Sequence, residues 1–103
     1  MTYINAFTSY MDESPEFSPA AVGKRILGIR LSHGLSQSQL AQKCGFSVTA
    51  LSGWENGRQR PSIALASRIC DVFNVTTDYL LRGKTEYLAH TVFMQLHGDE
   101  PKT

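Results

Sequence analysis

Cysteine occurs only twice in the 103 residues, and Cys44 and Cys70 each sit alone inside an apolar-periodic stretch. That excludes a disulfide framework and the paired spacing of a zinc site, so both read as reduced core residues. His33, His90 and His97 share no close ligand spacing with them, and His90 and His97 read as ordinary polar positions; no metal is expected. No apolar run approaches bilayer length, and Met1 to Tyr10 lacks the basic start and sustained apolar block of a secretory signal. A cytoplasmic chain with no membrane partner is the expectation. Catalytic sets are missing as well: there is no Ser-His-Asp or Cys-His group, no carboxylate pair in one element and no glycine-rich phosphate loop. The chain reads as a non-enzyme without a cofactor.

What is present is the composition of one globular domain, 42% hydrophobic and 18% charged, large enough for a modest core without staples. The net charge of +1 conceals a segregation of sign. Residues 1–18 carry Asp12, Glu13 and Glu16 and no cation, and residues 85–103 carry Glu86, Asp99 and Glu100 against Lys102. Residues 19–84 hold nine Lys and Arg against Glu55, Asp71 and Asp78. A basic body between acidic ends suits a polyanion, although an ordinary solvated surface has the same look.

The chain divides into a mobile acidic N-terminal arm (1–18), a helical domain (19–83) and a C-terminal extension (84–103). Pro15 and the unpatterned aromatics argue against a packed element in the arm, while Tyr3, Ile4, Phe7, Tyr10 and Phe17 argue against pure linker and suit docking of part of it on a partner or on the body. Ser18 and Pro19 open helix 1, whose Val22, Ile26, Ile29 and, less regularly, Leu27 and Leu31 recur at helical spacing until His33-Gly34. Ser36 with Gln39 forms a capping box for helix 2, with Leu40, Ala41 and Cys44 inside and Gly45 closing it. Ser47 caps helix 3, Val48 to about Asn56, which buries Leu51 and Trp54. Ser62 caps helix 4, with an apolar stripe of Ile63, Leu65, Ala66, Ile69, Cys70 and Phe73 ending at Asn74. Thr76 caps a short helix 5, with Tyr79, Leu80 and Leu81 inward before Gly83. Residues 86–97 fit a sixth helix capped by Thr85 and stopped by Gly98, with Leu88, Val92 and Leu96 on one face; they also alternate as a strand, and the caps favour the helix.

The spacing within residues 37–56 is specific. Ala41 falls where two helices meeting at near right angles leave no room for a longer side chain, and Gly45 where the chain reverses within three residues. Leu40, Cys44, Phe46, Leu51 and Trp54 occupy the faces that close on one another. Residues 22–82 resemble the lambda-repressor and Cro-like helix-turn-helix family of bacterial and phage transcription regulators. The resemblance is carried by LSQSQLA (35–41), CGFS (44–47), SGWENGRQRPS (52–62) and FNVTTDYLL (73–81). It implies an all-α fold, a compact five-helix DNA-binding domain to which the arm and the extension are added.

The resemblance also implies a division of labour on double-stranded DNA. Gln37 grips a phosphate and braces the recognition helix, and Asn56, Arg58, Arg60 and Ser62, with Ser47 at the end of helix 3, make further phosphate contacts. Bases are read by Val48, Thr49, Ser52 and Gly53 on the outer face of helix 3, in the major groove. Here the chain departs from relatives that place Gln, Arg or Lys at such positions, because none of these four makes a bidentate bond to a purine edge. Selectivity then leans on DNA shape or bridging water. Arg30 and Glu55 match a family ion pair that ties helix 1 to helix 3. The expected function is transcriptional regulation, as a repressor acting as a homodimer, with the dimer contact in residues 84–98 and the arm as second choice. The alternative is an adaptor or antitoxin-type module that binds another protein through its C-terminal extension.

Overall fold

A computed structural model of the chain describes residues 15–86 and 88–97, the side chains of His90, Thr91 and His97 excepted. Residues 1–14 of the expected arm and the expected stop at Gly98 lie outside the described residues. The described chain is all helical: a 3-10 turn at Pro15–Phe17, then α1 (Pro19–Ser32), α2 (Gln37–Cys44), α3 (Val48–Glu55), α4 (Ile63–Phe73), α5 (Thr77–Arg82) and α6 (His90–His97).

Each of the first five helices starts on a hydroxyl that accepts a bond from an otherwise orphaned amide. Ser18 Oγ accepts from Ala21, Ser47 Oγ from Ala50, Ser62 Oγ from Leu65 and Thr76 Oγ1 from Tyr79, at 2.9 to 3.2 Å. At α2 the capping box is complete: Gln39 N–H donates to Ser36 Oγ at 3.0 Å, and Ser36 N–H to Gln39 Oε1 at 2.8 Å. α2, α4 and α5 end on left-handed residues, Gly45 at φ 79°, Asn74 at 57° and Gly83 at 75°. Asparagine is the non-glycine residue that tolerates this conformation best.

α1 is the centre of the packing and meets α3, α5, α6 and the 3-10 turn, while α4 packs on α2 and α5. Val22, Ile26 and Ile29 of α1, Leu40 of α2, Leu51 of α3, Ile69 of α4 and Leu80 of α5 are fully buried together. Cys44 and Cys70 are free thiols within this core. Two positions of the expected stripes are instead exposed: Leu31, 60% accessible, and Ile63, 67%. Both lie at a helix end.

Two boundaries differ from the sequence reading. The packed body begins before Pro19, since Pro15–Phe17, at the end of the expected arm, forms a 3-10 turn that packs on α1 and α5. The C-terminal helix begins at His90 rather than Glu86, because Leu88 N–H bonds Thr85 O at 3.2 Å in a turn that brings Leu88 to the core first. Val92 is buried and Leu96 packs beside it, so the expected apolar face of this helix turns onto the body of its own chain.

Candidate nucleic-acid interface

The reversal between α2 and α3 is fixed from three directions. Ala41 O accepts from both Gly45 N–H (2.8 Å) and Phe46 N–H (3.1 Å), and Ala41 itself is buried in the crossing. Phe46 meets Trp54 edge to face, with centroids 4.8 Å apart. From α4, Arg68 Nη1 donates to Gly45 O at 2.9 Å. The sequence gives no sign of the last contact, which depends on how α4 returns beneath the turn.

α3 is then oriented by a part-buried polar network. Arg30 Nε and Nη2 donate to Glu55 Oε2 and Oε1 at 2.8 and 2.9 Å, a bidentate pair with side chains only 15% and 5% exposed. Gln37 Nε2 donates to the same Oε1 at 3.0 Å, and Arg30 Nη1 to Leu35 O at 3.0 Å. One carboxylate thus ties α1, α2 and α3 together. The hydrogen bonds it donates to Glu55 hold the Arg30 guanidinium above its ordinary pKa, against the opposing effect of burial. Gln37 braces α3 through its side chain from the first position of α2.

The outward side of α3 presents Val48, Thr49 and, half-buried, Ser52. Asn56 Nδ2 donates to Ser52 O at 2.9 Å and to Ser52 Oγ at 3.2 Å, so the two residues form one exposed polar unit. Ser47 and Ser62 are exposed, and because their Oγ atoms accept in the caps, each keeps its O–H as a donor. Gly53 is not on the open reading face. It is buried, and Gln59 Nε2 lies 3.8 Å from where its Cβ would be. The loop folds back over α3 because Arg58 N–H bonds Gly53 O at 2.9 Å, which leaves the Arg58 side chain exposed and carries Gln59 over the glycine.

Arg60, expected as a phosphate contact, reaches back to the segment before α1. Its guanidinium carbon stands 4.3 Å from the Phe17 ring centroid, and Nη1 donates to Phe17 O at 2.8 Å. Sequence reasoning missed Phe17, Gln59, Arg68 and Gly23. Only Gly23 carried a usable signal, since a mid-helix glycine costs stability and so has a packing reason.

A helix-turn-helix family model matches residues 26–80, more than half of the chain and the stretch that holds the reversal, the Arg30 and Glu55 network and the loop. The chain belongs to the lambda-repressor and Cro-like helix-turn-helix family. This helix-turn-helix protein is 40% identical over 55 residues to the antitoxin PezA of Streptococcus pneumoniae, covering 53% of this chain and 35% of PezA. It is 36% identical over 61 residues to the transcriptional activator BcrR of Enterococcus faecalis, covering 59% and 30%. With the transcriptional regulator ImmR of Bacillus subtilis it shares 33% over 66 residues, covering 64% and 51%. The chain therefore spans a third to a half of the length of these relatives. No solved structure matches it. Among the described residues no helix is long and apolar enough to cross a membrane.

Proposed function

We propose that this chain is a sequence-specific double-stranded DNA-binding regulator of transcription, with α3 in the major groove. The observation that carries the reading is the carboxylate of Glu55, which locks α1, α2 and α3 so that Val48, Thr49 and Ser52 face outward beside a basic loop. Gln37, Ser47, Asn56, Arg58, Arg60 and Ser62 surround that face and serve as phosphate contacts, which set affinity and register. With Gly53 covered, direct readout rests on three small side chains: Val48 for a thymine methyl, Thr49 and Ser52 for single hydrogen bonds. Such a reader gains selectivity from DNA shape and from two-fold repetition, so we propose a homodimer on half-sites about one helical turn apart, acting as a repressor. Residues 84–98 remain the proposed dimer segment, although Leu88, Val92 and Leu96 pack inward on their own chain.

Selection of bound duplexes from a random pool tests this reading. Recovery of a two-fold motif supports it, and a pool that stays random after repeated rounds counts against sequence-specific binding.

A second reading has its own support: the similarity to a protein named an antitoxin and a reading face without purine-specific side chains favour an adaptor that binds another protein. Absence of duplex binding at low salt favours the adaptor.

A further inference from the structure

The 3-10 turn Pro15–Phe17 lies outside the family match, yet the body grips it from two sides. On one side Arg25 donates from Nη2 to Glu16 O and from Nε to Leu80 O at 2.9 Å. Gly83 gives Arg25 its room, because a Cβ there would stand 3.0 Å from Nη1. Burial lowers the Arg25 pKa, with Glu16 and Tyr79 opposing the shift. Ser18 Oγ donates to Pro15 O at 3.0 Å while capping α1, so the turn is tied to the start of α1.

On the other side, Arg60 reaches the turn from the loop that follows α3, two residues after the exposed Arg58. The Phe17 ring faces its guanidinium and the Phe17 carbonyl takes one of its five N–H donors. Stacking on an aromatic face leaves the edges of a guanidinium able to bond a phosphate oxygen. An arginine already held in place loses less rotamer freedom when it makes that bond than one on an open loop.

We propose that Phe17 is a positioning residue for the phosphate contact: it holds Arg60, and with it the loop 57–61, in the geometry that grips DNA. The proposal rests on the DNA-binding reading above and adds the segment before α1 to the binding machinery.

The test is the affinity of the full chain for a labelled mixed-sequence duplex across a salt series, measured well below each variant's melting transition. Arg60→Ala lowers the log-log salt slope by about 1. Phe17→Leu keeps apolar bulk but removes the aromatic face, and weakens binding about two- to fivefold, while Phe17→Tyr binds as the wild type. On the Arg60→Ala background Phe17→Leu has no further effect. Arg60→Lys, which leaves Phe17 untouched and keeps the charge, is weakened as well. Wild-type or tighter binding by Phe17→Leu, a full Phe17→Leu effect without Arg60, or an Arg60→Ala slope equal to that of the wild type overturns the proposal and leaves the DNA-binding reading standing. A wild-type chain that shows no salt-dependent duplex binding overturns both.

Discussion

The carbonyl oxygen of Trp54 stands 2.0 Å from where a Cβ on Gly23 would lie. α3 therefore ends directly on the backbone of α1, and Gly57 continues the contact, its own Cβ position 3.2 Å from Ala20 Cα. The angle at which the recognition helix leaves the body is set here and by Glu55.

Gly23→Ala forces α3 away from α1, and since the obstacle is backbone rather than a movable side chain, the cost is about 1–3 kcal/mol or more. In a domain of this size that lowers the melting temperature by roughly 4 to 8 °C per kcal/mol. Gly53→Ala is the control: its Cβ meets Gln59 Nε2 at an ordinary 3.8 Å, so the better helix former holds or raises the melting temperature. Circular dichroism melts of the two variants check the contrast.

Glu55→Ala leaves the part-buried Arg30 guanidinium without its carboxylate and Gln37 Nε2 without its acceptor. The cost is at most on the order of 3 kcal/mol, because the pair is only partly buried and breaking one side of such a pair costs more than the pair contributes. Both the melting temperature and duplex affinity fall. An unchanged melting curve would contradict the bracing role.

Burial pushes the Cys70 thiol from 9.0 up to about 11, and raises Cys44 as well. A thiol whose folded pKa is raised holds its proton to higher pH when folded than when unfolded. Its contribution is thus complete below pH 9.0 and is lost as pH rises through about 11. Tyr79, raised by burial with Arg25 opposing, acts in the same direction. Urea midpoints measured from neutral to alkaline pH fall across that window, and near pH 8 a thiol reagent labels the two cysteines only on unfolding.

Val92→Ala removes a buried contact between α6 and the core and costs about 1–3 kcal/mol. Deleting residues 85–103 lowers stability for the same reason, and if these residues also join two copies it leaves a monomer. Sedimentation of the truncated chain that still shows a dimer contradicts the dimer assignment.

Local chemistry was legible in the sequence and long-range geometry was not. Ser18, Ser36 with Gln39, Ser47, Ser62 and Thr76 announced five helix starts, because a cap and its amide lie within three residues of each other. Gly45 and Gly83 likewise marked the ends. The bond from Arg60 to Phe17 spans 43 residues, and that from Arg68 to Gly45 spans 23; no periodicity encodes either. Pro15 read as a breaker although it starts a short 3-10 turn, whose hold on the body comes from Arg25 and Arg60 rather than from its own pattern. Gly53 read as part of an open face because the return of Gln59 depends on the Arg58 to Gly53 backbone bond.

The central claim, that the outward face of α3 and its basic loop meet DNA phosphates, is tested most directly by duplex affinity against salt for the wild type and Arg58→Ala. Arg58 is exposed, so its loss leaves the fold in place. The account predicts a log-log slope of several units for the wild type and a slope smaller by about 1 for the variant. Equal slopes, or no duplex binding at low salt, would contradict it.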